Sequence, residues 1–203
     1  MKYIKWNILF ITCVVCLLPI LFGVAMWESL PDTMAIHFDI NNNPDNFASK
    51  GFVVFGLPVI MAIFQVISCI ATDLNSEKYG ESKRFEVVSK FIITFITFAL
   101  YIATLGFSLE WNVDIRKVAV IIVGVVFIAT GICILNLNYV KNYRVEEEKA
   151  KKINKITGYG MAVSGILMLI SSLLPAIYSM ICFMLLFLFI IVVVIFSIII
   201  VKK

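Results

Sequence analysis

The chain has little charge for its length and almost no histidine. Of its 203 residues, 15% are Asp, Glu, Lys or Arg, and His37 is the single histidine. Soluble domains carry about 25% charged and about 45–50% apolar residues, whereas this chain is 62% apolar with a mean hydropathy of +1.02. This composition excludes a soluble enzyme, a nucleic-acid-binding domain and a secreted disulfide scaffold.

Six stretches lack Asp, Glu, Lys, Arg and His altogether. Each is close to the length of about 20 residues that a helix needs to cross a bilayer. They are residues 6–26, 51–71, 91–109, 118–136, 156–174 and 177–201. We therefore predict an all-α integral membrane protein, a six-span helical bundle that forms a single domain over residues 1–203.

The basic residues concentrate on one side of this predicted bundle. If the N-terminus is cytoplasmic, 14 of the 17 basic residues lie inside. Short cytoplasmic loops carry such an excess, so we predict a multipass cell-membrane protein with both termini in the cytoplasm. The outer segments then hold six acidic residues against Lys50, Arg116 and Lys117, and this acidic face favours a cationic ligand.

The predicted spans contain no ionisable residue. Proton pumps and ion-coupled transporters need such residues at membrane depth, so their absence argues against coupled transport. Glu86 and Lys90 fall in the predicted inner loop 72–90, and Glu147 and Lys151 fall in the next inner loop. We interpret each (i, i+4) pair as part of a solvated helix face.

Cysteines and small residues in the spans are interpreted as packing residues. All five cysteines lie in predicted spans, and Cys13 and Cys16 have no second Cys or His pair near them in the sequence. Gly158, Gly160 and Ser164 form a small-residue stripe that favours close helix contact. We expect no metal site and no cofactor.

The loop between the first two spans carries the most specific pattern. Residues 35–40 alternate apolar and polar, which predicts a strand, and the Asn- and Pro-rich run 41–45 predicts a turn. His37 and Asp39 share one face of that strand, so they are candidates for a hydrogen-bonded pair. Its role is left open between a structural histidine, ligand recognition, and catalysis or metal binding.

This loop resembles the N-terminal signature of the SdpI-like immunity protein family. The matching residues are Leu30-Pro31-Asp32, Ala35-Ile36-His37-Phe38-Asp39, Pro44-Asp45 and Ala48-Ser49-Lys50, within residues 27–71. The resemblance implies a multipass membrane protein that gives immunity to a secreted antimicrobial peptide and, in some members, signals to a cytoplasmic regulator. It also implies a set of ligand-binding or motif residues: Pro31, Asp32, His37, Phe38, Asp39, Pro44, Asp45, Ser49 and Lys50.

The chain departs from that family in a later inner loop. Full-length members carry an Arg-Thr-Pro-Trp stretch there, and residues 138–144 lack it. Any signalling role is therefore less well supported by the resemblance than peptide immunity.

Three functions remain open from the sequence. The first is an immunity or sensing protein whose partners are the bilayer, a secreted peptide outside and a cytoplasmic regulator. The second is a membrane enzyme that acts on lipid or envelope material at the outer interface, with His37 as base. The third is an uncoupled transporter lined by Gln65 and the threonines of the third span. We favour the first, without catalytic residues and without nucleic acid as a partner.

Overall fold

The computed structural model describes residues 4–79, 83–137 and 146–202, and helices dominate these ranges. The α-helices are α1 (Trp6–Leu17), α2 (Pro19–Ala25), α3 (Leu57–Tyr79), α4 (Lys83–Ser108), α5 (Ile115–Leu135), α6 (Glu147–Ser171) and α7 (Ala176–Lys202). In this part of the chain, six helical segments are long and apolar enough to cross a membrane, with α1 and α2 together forming the first. The predicted six-span helical fold is confirmed.

The membrane-spanning segments extend beyond the charge-free stretches of the sequence. The second segment, Phe52–Ser76, includes Asp73, and the third, Lys83–Ser108, includes Glu86 and Lys90. The helices that contain the predicted spans 51–71 and 91–109 therefore carry charged residues just beyond the predicted bounds. Residues 138–144, which lack the family's inner-loop motif, lie outside the described residues.

Two prolines interrupt the first two segments. Proline lacks a backbone N–H and breaks the helical hydrogen-bond ladder. Pro19 takes the first turn of α2, where an N–H has no intrahelical partner, and so divides α2 from α1. Pro58 leaves the Val54 carbonyl without its α-helical donor, within a short π-helix, Phe52–Gly56. The Tyr101 hydroxyl of α4 donates to this carbonyl over 3.3 Å, which ties the second segment to the third.

A β-hairpin connects the first two segments. After a 3-10 turn at Trp27–Ser29, strand β1 (Thr33–Phe38) pairs antiparallel with β2 (Pro44–Ser49). The sequence pattern predicted one strand, over residues 35–40, and missed the second. Met34 of β1 is buried in a cluster with Leu30, Val53, Val54, Tyr101 and Leu105. The hairpin therefore covers one end of the bundle, the hairpin end, and the opposite end, where α1 begins, is the terminal end.

Helices α5 and α6 meet through four glycines. A Cβ added at Gly131 would lie 2.7 Å from the Gly158 carbonyl oxygen, and one at Gly165 would lie 2.5 Å from that of Gly124. Small residues allow such close backbone contact between membrane helices. The predicted close approach at Gly158 is confirmed, whereas Gly160 faces α7.

Replacing Gly131 with leucine is expected to destabilise the protein, because the new side chain would collide with the α6 backbone. Overpacking of this kind costs about 1–3 kcal/mol. Thermal unfolding in detergent measures the effect. Gly51→Ala is the control, since a Cβ at Gly51 meets nothing within 4 Å. Equal melting temperatures for Gly131→Leu and the wild type would contradict the contact.

Candidate functional site

The hairpin turn is built around the carboxylate of Asp39. Its Oδ1 accepts the backbone N–H groups of Asn41 and Asn43 at 2.8 and 2.7 Å, and its Oδ2 accepts the Asn43 side-chain amide at 3.0 Å. Asn42 adopts a φ of 66°, which asparagine tolerates better than most residues. The hydrogen bonds from Asn43 hold the pKa of Asp39 below its usual value of 3.8. Asp39 is thus engaged by its own turn.

The tip of the turn is attached to the connection between α4 and α5. Asn42 Nδ2 donates to the Val113 carbonyl over 3.3 Å, and Asn42 Oδ1 accepts the Ile115 N–H over 2.8 Å. Because Ile115 is the first residue of α5, Asn42 satisfies one of the N–H groups that a helix start leaves free. Phe38 packs edge-on against Phe107 of α4, with ring centroids 4.7 Å apart. These contacts fix the hairpin over the bundle.

His37 pairs with Asp45 rather than with Asp39, its candidate partner from the sequence. His37 Nδ1 and Asp45 Oδ1 lie 2.5 Å apart. The strand register shifts twice here, so that Ile36 of β1 and Asp45 of β2 have no direct partner across the ladder. Such bulges redirect side chains from the regular alternation. The side chains of His37 and Asp45 are 67% and 48% exposed, so a ligand from solvent can reach the pair.

Lys50 clamps the two ends of the hairpin loop. Its Nζ donates to the carbonyls of Trp27 and Leu30 at 3.2 and 2.9 Å and lies 5.0 Å from the Trp27 ring centroid. Its backbone N–H donates to the Asp32 carbonyl over 2.8 Å. Its Nζ also lies 3.4 Å from Asp32 Oδ1, where the Lys50 side chain is 13% exposed and that of Asp32 is 99% exposed. Of these two motif residues, only Asp32 presents its charge to solvent.

The remaining motif residues shape the hairpin. Pro44 begins β2 opposite Phe38, and Pro31 lies exposed just before β1. Ser49 Oγ accepts the N–H of Phe52 over 3.3 Å and so satisfies a free donor at the start of the second membrane segment.

A cleft of about 360 Å³ opens beside the hairpin. Strand β1 and the turn line one side, and the first two turns of α5 and α7 line the other. Most of the lining is apolar, and the polar lining residues are His37, Asp39, Arg116 and Ser179. The volume falls within the range of small-ligand sites, about 300–1,000 Å³. The hairpin end thus combines a fixed polar rim with a concave apolar surface.

A second polar site, the ion cluster, lies at the terminal end. Lys90 Nζ lies 2.5 Å from Asp73 Oδ1 and 2.9 Å from Glu86 Oε1. Lys5 Nζ donates to Glu86 Oε1 over 2.6 Å, and the Lys5 backbone N–H donates to Asp73 over 3.0 Å. The side chains of Lys90, Asp73 and Glu86 are at most 3% exposed. The interpretation of Glu86 and Lys90 as a solvated pair is therefore wrong.

A buried polar stripe continues from the ion cluster along α4. Its members recur every three or four residues and are all buried: Glu86, Lys90, Thr94, Thr97 and Tyr101. Gln65 of α3 donates to the Lys90 carbonyl over 2.7 Å, and Cys16 of α1 donates to Thr94 over 3.6 Å. Gln65 Oε1 is buried without a hydrogen-bond partner among the described residues. The spacing of these residues along one helix face was the signal in the sequence that could have predicted a buried polar stripe.

The fold and these two sites are those of a multipass helical membrane protein with an ordered hairpin at one end. Residues 14–62 match the family model of a domain of unknown function (DUF1648). The matched segment runs from α1 to the beginning of α3 and contains the whole hairpin. No curated protein and no solved structure matches the chain.

Acid is expected to loosen the hairpin through Asp39. Folding lowers the pKa of this carboxyl. Its contribution to the stability of the hairpin is therefore complete above the usual pKa and is lost as the pH falls through the lower pKa of the folded state. Hydrogen exchange of residues 33–49 between pH 5 and pH 2 measures the change. Asp39→Asn should flatten this dependence, whereas Asp32→Asn, at a carboxylate that is 99% exposed and lies 3.4 Å from Lys50 Nζ, should leave it intact. Identical profiles for Asp39→Asn and the wild type would refute the assignment.

Replacing Lys90 with methionine is expected to destabilise the terminal end, because two buried carboxylates lose a shared cation. Removing one partner of a buried ion pair costs about 3–5 kcal/mol. The control is Lys151→Met: Lys151 pairs with Glu147 at 2.6 Å, but the two side chains are 60% and 56% exposed, as predicted for a solvated pair. Such pairs contribute about 0–1 kcal/mol. Similar melting temperatures for the two variants would show that the ion cluster is not a stabilising contact.

Proposed function

We propose that the chain binds a secreted, cationic, membrane-active peptide at its hairpin end and so acts as an immunity or sensing protein. The carrying observation is the exposed charge around the hairpin. Six acidic residues lie at this end: Glu28, Asp32, Asp39, Asp45, Glu110 and Asp114. Of the three basic residues there, Lys50 and Arg116 have side chains only 13% and 15% exposed. The charge presented to solvent is therefore mainly acidic, which complements a cationic peptide.

An apolar surface beside these charges supports the same function. Membrane-active peptides are amphipathic, so a binding site for one needs apolar contacts as well as carboxylates. Phe47 and Ile40 of the hairpin are 55% and 39% exposed, and Ile40 also lines the cleft. The bonds of Asn42 and Lys50 hold this surface in place before a ligand arrives, which lowers the entropic cost of binding.

The resemblance to SdpI-like immunity proteins supports this proposal independently of the charges. It rests on residues of the hairpin itself, including His37 and Asp45. The proposal places the hairpin outside the cell, in line with the excess of basic residues predicted for the cytoplasmic side.

Survival of a peptide-sensitive bacterial host tests the proposal. Cells that express the wild type are expected to survive culture supernatants of a peptide-secreting strain. The double variant His37→Ala with Asp45→Asn removes the exposed pair and is expected to lower the tolerated dose about tenfold, the effect of losing a charge-assisted contact. Both substitutions leave the clamp and the turn untouched.

The matched control is Glu147→Gln, which removes one exposed carboxylate at the terminal end. It should protect like the wild type, and immunoblots of membrane fractions should show equal amounts of every variant. Full protection by the double variant would move the binding site elsewhere. Failure of the wild type to protect, with the protein in the membrane, would reject peptide immunity.

Transport is a second candidate, favoured by the buried polar stripe. Ionisable residues within membrane segments often mark ion or solute pathways, and Glu86 and Lys90 belong to such a segment. Ion or solute flux into liposomes that contain the purified protein distinguishes the two candidates. A flux lost in Gln65→Leu and kept in the hairpin double variant would favour transport.

A further inference from the structure

Arg116 forms the polar corner of the otherwise apolar cleft beside the hairpin. Its side chain is 15% exposed, and it lies in the first turn of α5. Its guanidinium donates to Ser179 Oγ over 3.2 Å and to Asp114 Oδ2 over 3.3 Å. A guanidinium carries five N–H groups, and the others have no acceptor among the described residues. A largely buried cation with unfilled donors favours a further anionic partner.

The carboxylates nearby are already engaged by other donors. Asp114 also accepts the Lys117 backbone N–H over 3.0 Å and lies 3.6 Å from Lys117 Nζ, so one carboxylate serves two cations. Asp39 lines the opposite wall of the cleft, but its oxygens accept three N–H groups of its own turn. The exposed His37 pairs with Asp45. Among the described residues, Arg116 therefore has no ion-pair partner besides Asp114.

Two helix beginnings also lie at the cleft, and the carboxylate of Asp114 caps that of α5. Ile115 and Ala176 start α5 and α7, and both residues line the cleft. A helix N-terminus carries about half a positive elementary charge. Ser179, in the first turn of α7, is 3% exposed and donates to the Ser171 carbonyl over 3.2 Å. Its oxygen thus accepts from Arg116 and fixes the guanidinium at the cleft.

The other residues that line the cleft are mostly apolar, and two of them are partly exposed on the surface of α7. Met180 and Phe183 of α7 are 43% and 39% exposed, on a helix that is apolar around its circumference. Trp111 lies at the hairpin end of the bundle and is 50% exposed, and exposed tryptophans are typical of the membrane–water interface. A ligand here therefore needs one anionic group at the interface and an apolar body that reaches the bilayer.

We propose that the cleft holds one phospholipid of the leaflet at the hairpin end, with its phosphate on Arg116 and an acyl chain along Met180 and Phe183. A phospholipid supplies both required parts, and it reaches the cleft laterally from the bilayer. His37 lines the same cleft, but the lipid contacts proposed here are at Arg116, Met180 and Phe183, and they do not depend on peptide binding.

Native mass spectrometry of the purified full-length protein tests the site. The probes are phosphatidylglycerol and the diacylglycerol with the same acyl chains, which lacks the phosphate. The wild type is expected to bind phosphatidylglycerol at least about tenfold more tightly than diacylglycerol, the effect of a charge-assisted contact. Arg116→Gln should lose this preference. Lys117→Gln is the matched control, because this substitution removes the same charge from the same helix at a residue that does not line the cleft.

Two further measurements guard against misfolding and against a simple phosphate site. Met180→Trp fills the apolar part of the cleft, keeps Arg116, and should weaken binding of both lipids. Glycerol phosphate in excess should not displace phosphatidylglycerol, because it lacks acyl chains. The proposal is overturned if Arg116→Gln, with a wild-type melting temperature, keeps the preference, if Met180→Trp binds both lipids normally, or if glycerol phosphate displaces the lipid.

Discussion

The ion cluster is the contact on which the arrangement of the first three membrane segments depends. Charged groups buried among apolar helices are costly, at about 2.5–3.5 kcal/mol each on insertion scales. Here Lys90 bridges Asp73 and Glu86, and Lys5 adds donors to both carboxylates. Any rearrangement that separates α1, α3 or α4 at this end would leave a buried charge unpaired. The cluster therefore specifies which helices meet and in which register.

Helix α4 consequently has its polar face inside and its apolar face outside. Its buried stripe covers 15 residue steps, roughly 22 Å at the rise of an α-helix, while Phe91, Phe95 and Phe98 are exposed. Counting charge-free stretches located six spans but truncated α3 and α4, because Asp73, Glu86 and Lys90 were assigned to a loop. Charge content alone cannot distinguish a solvated pair from one neutralised by residues distant in the sequence, such as Lys5.

At the hairpin end, the sequence predicted the place of the structured loop but not its pairing. The alternation over residues 35–40 is a local signal, and it correctly indicated a strand. Two register shifts then separate His37 from the regular pattern and bring it to Asp45, eight residues away. A bulge depends on how two strands fit together over the bundle, so no spacing within one strand reveals it. Lys50 is a similar case, since its carbonyl partners are fixed only by the completed fold.

Basic and acidic side chains occur at both ends of the molecule, but their partners and their exposure to water differ. At the terminal end, lysines neutralise carboxylates that are shielded from water. At the hairpin end, Lys50 and Arg116 are largely buried at carbonyl, hydroxyl and carboxylate oxygens, while Asp32 and Asp45 remain exposed. Much of the matched segment, residues 14–62, therefore forms a structural frame. Its Pro19, Ser49, Lys50 and Pro58 determine the course of the backbone. A match over that frame indicates architecture, and the function must be argued from the exposed carboxylates, His37 and the cleft that the frame holds in place.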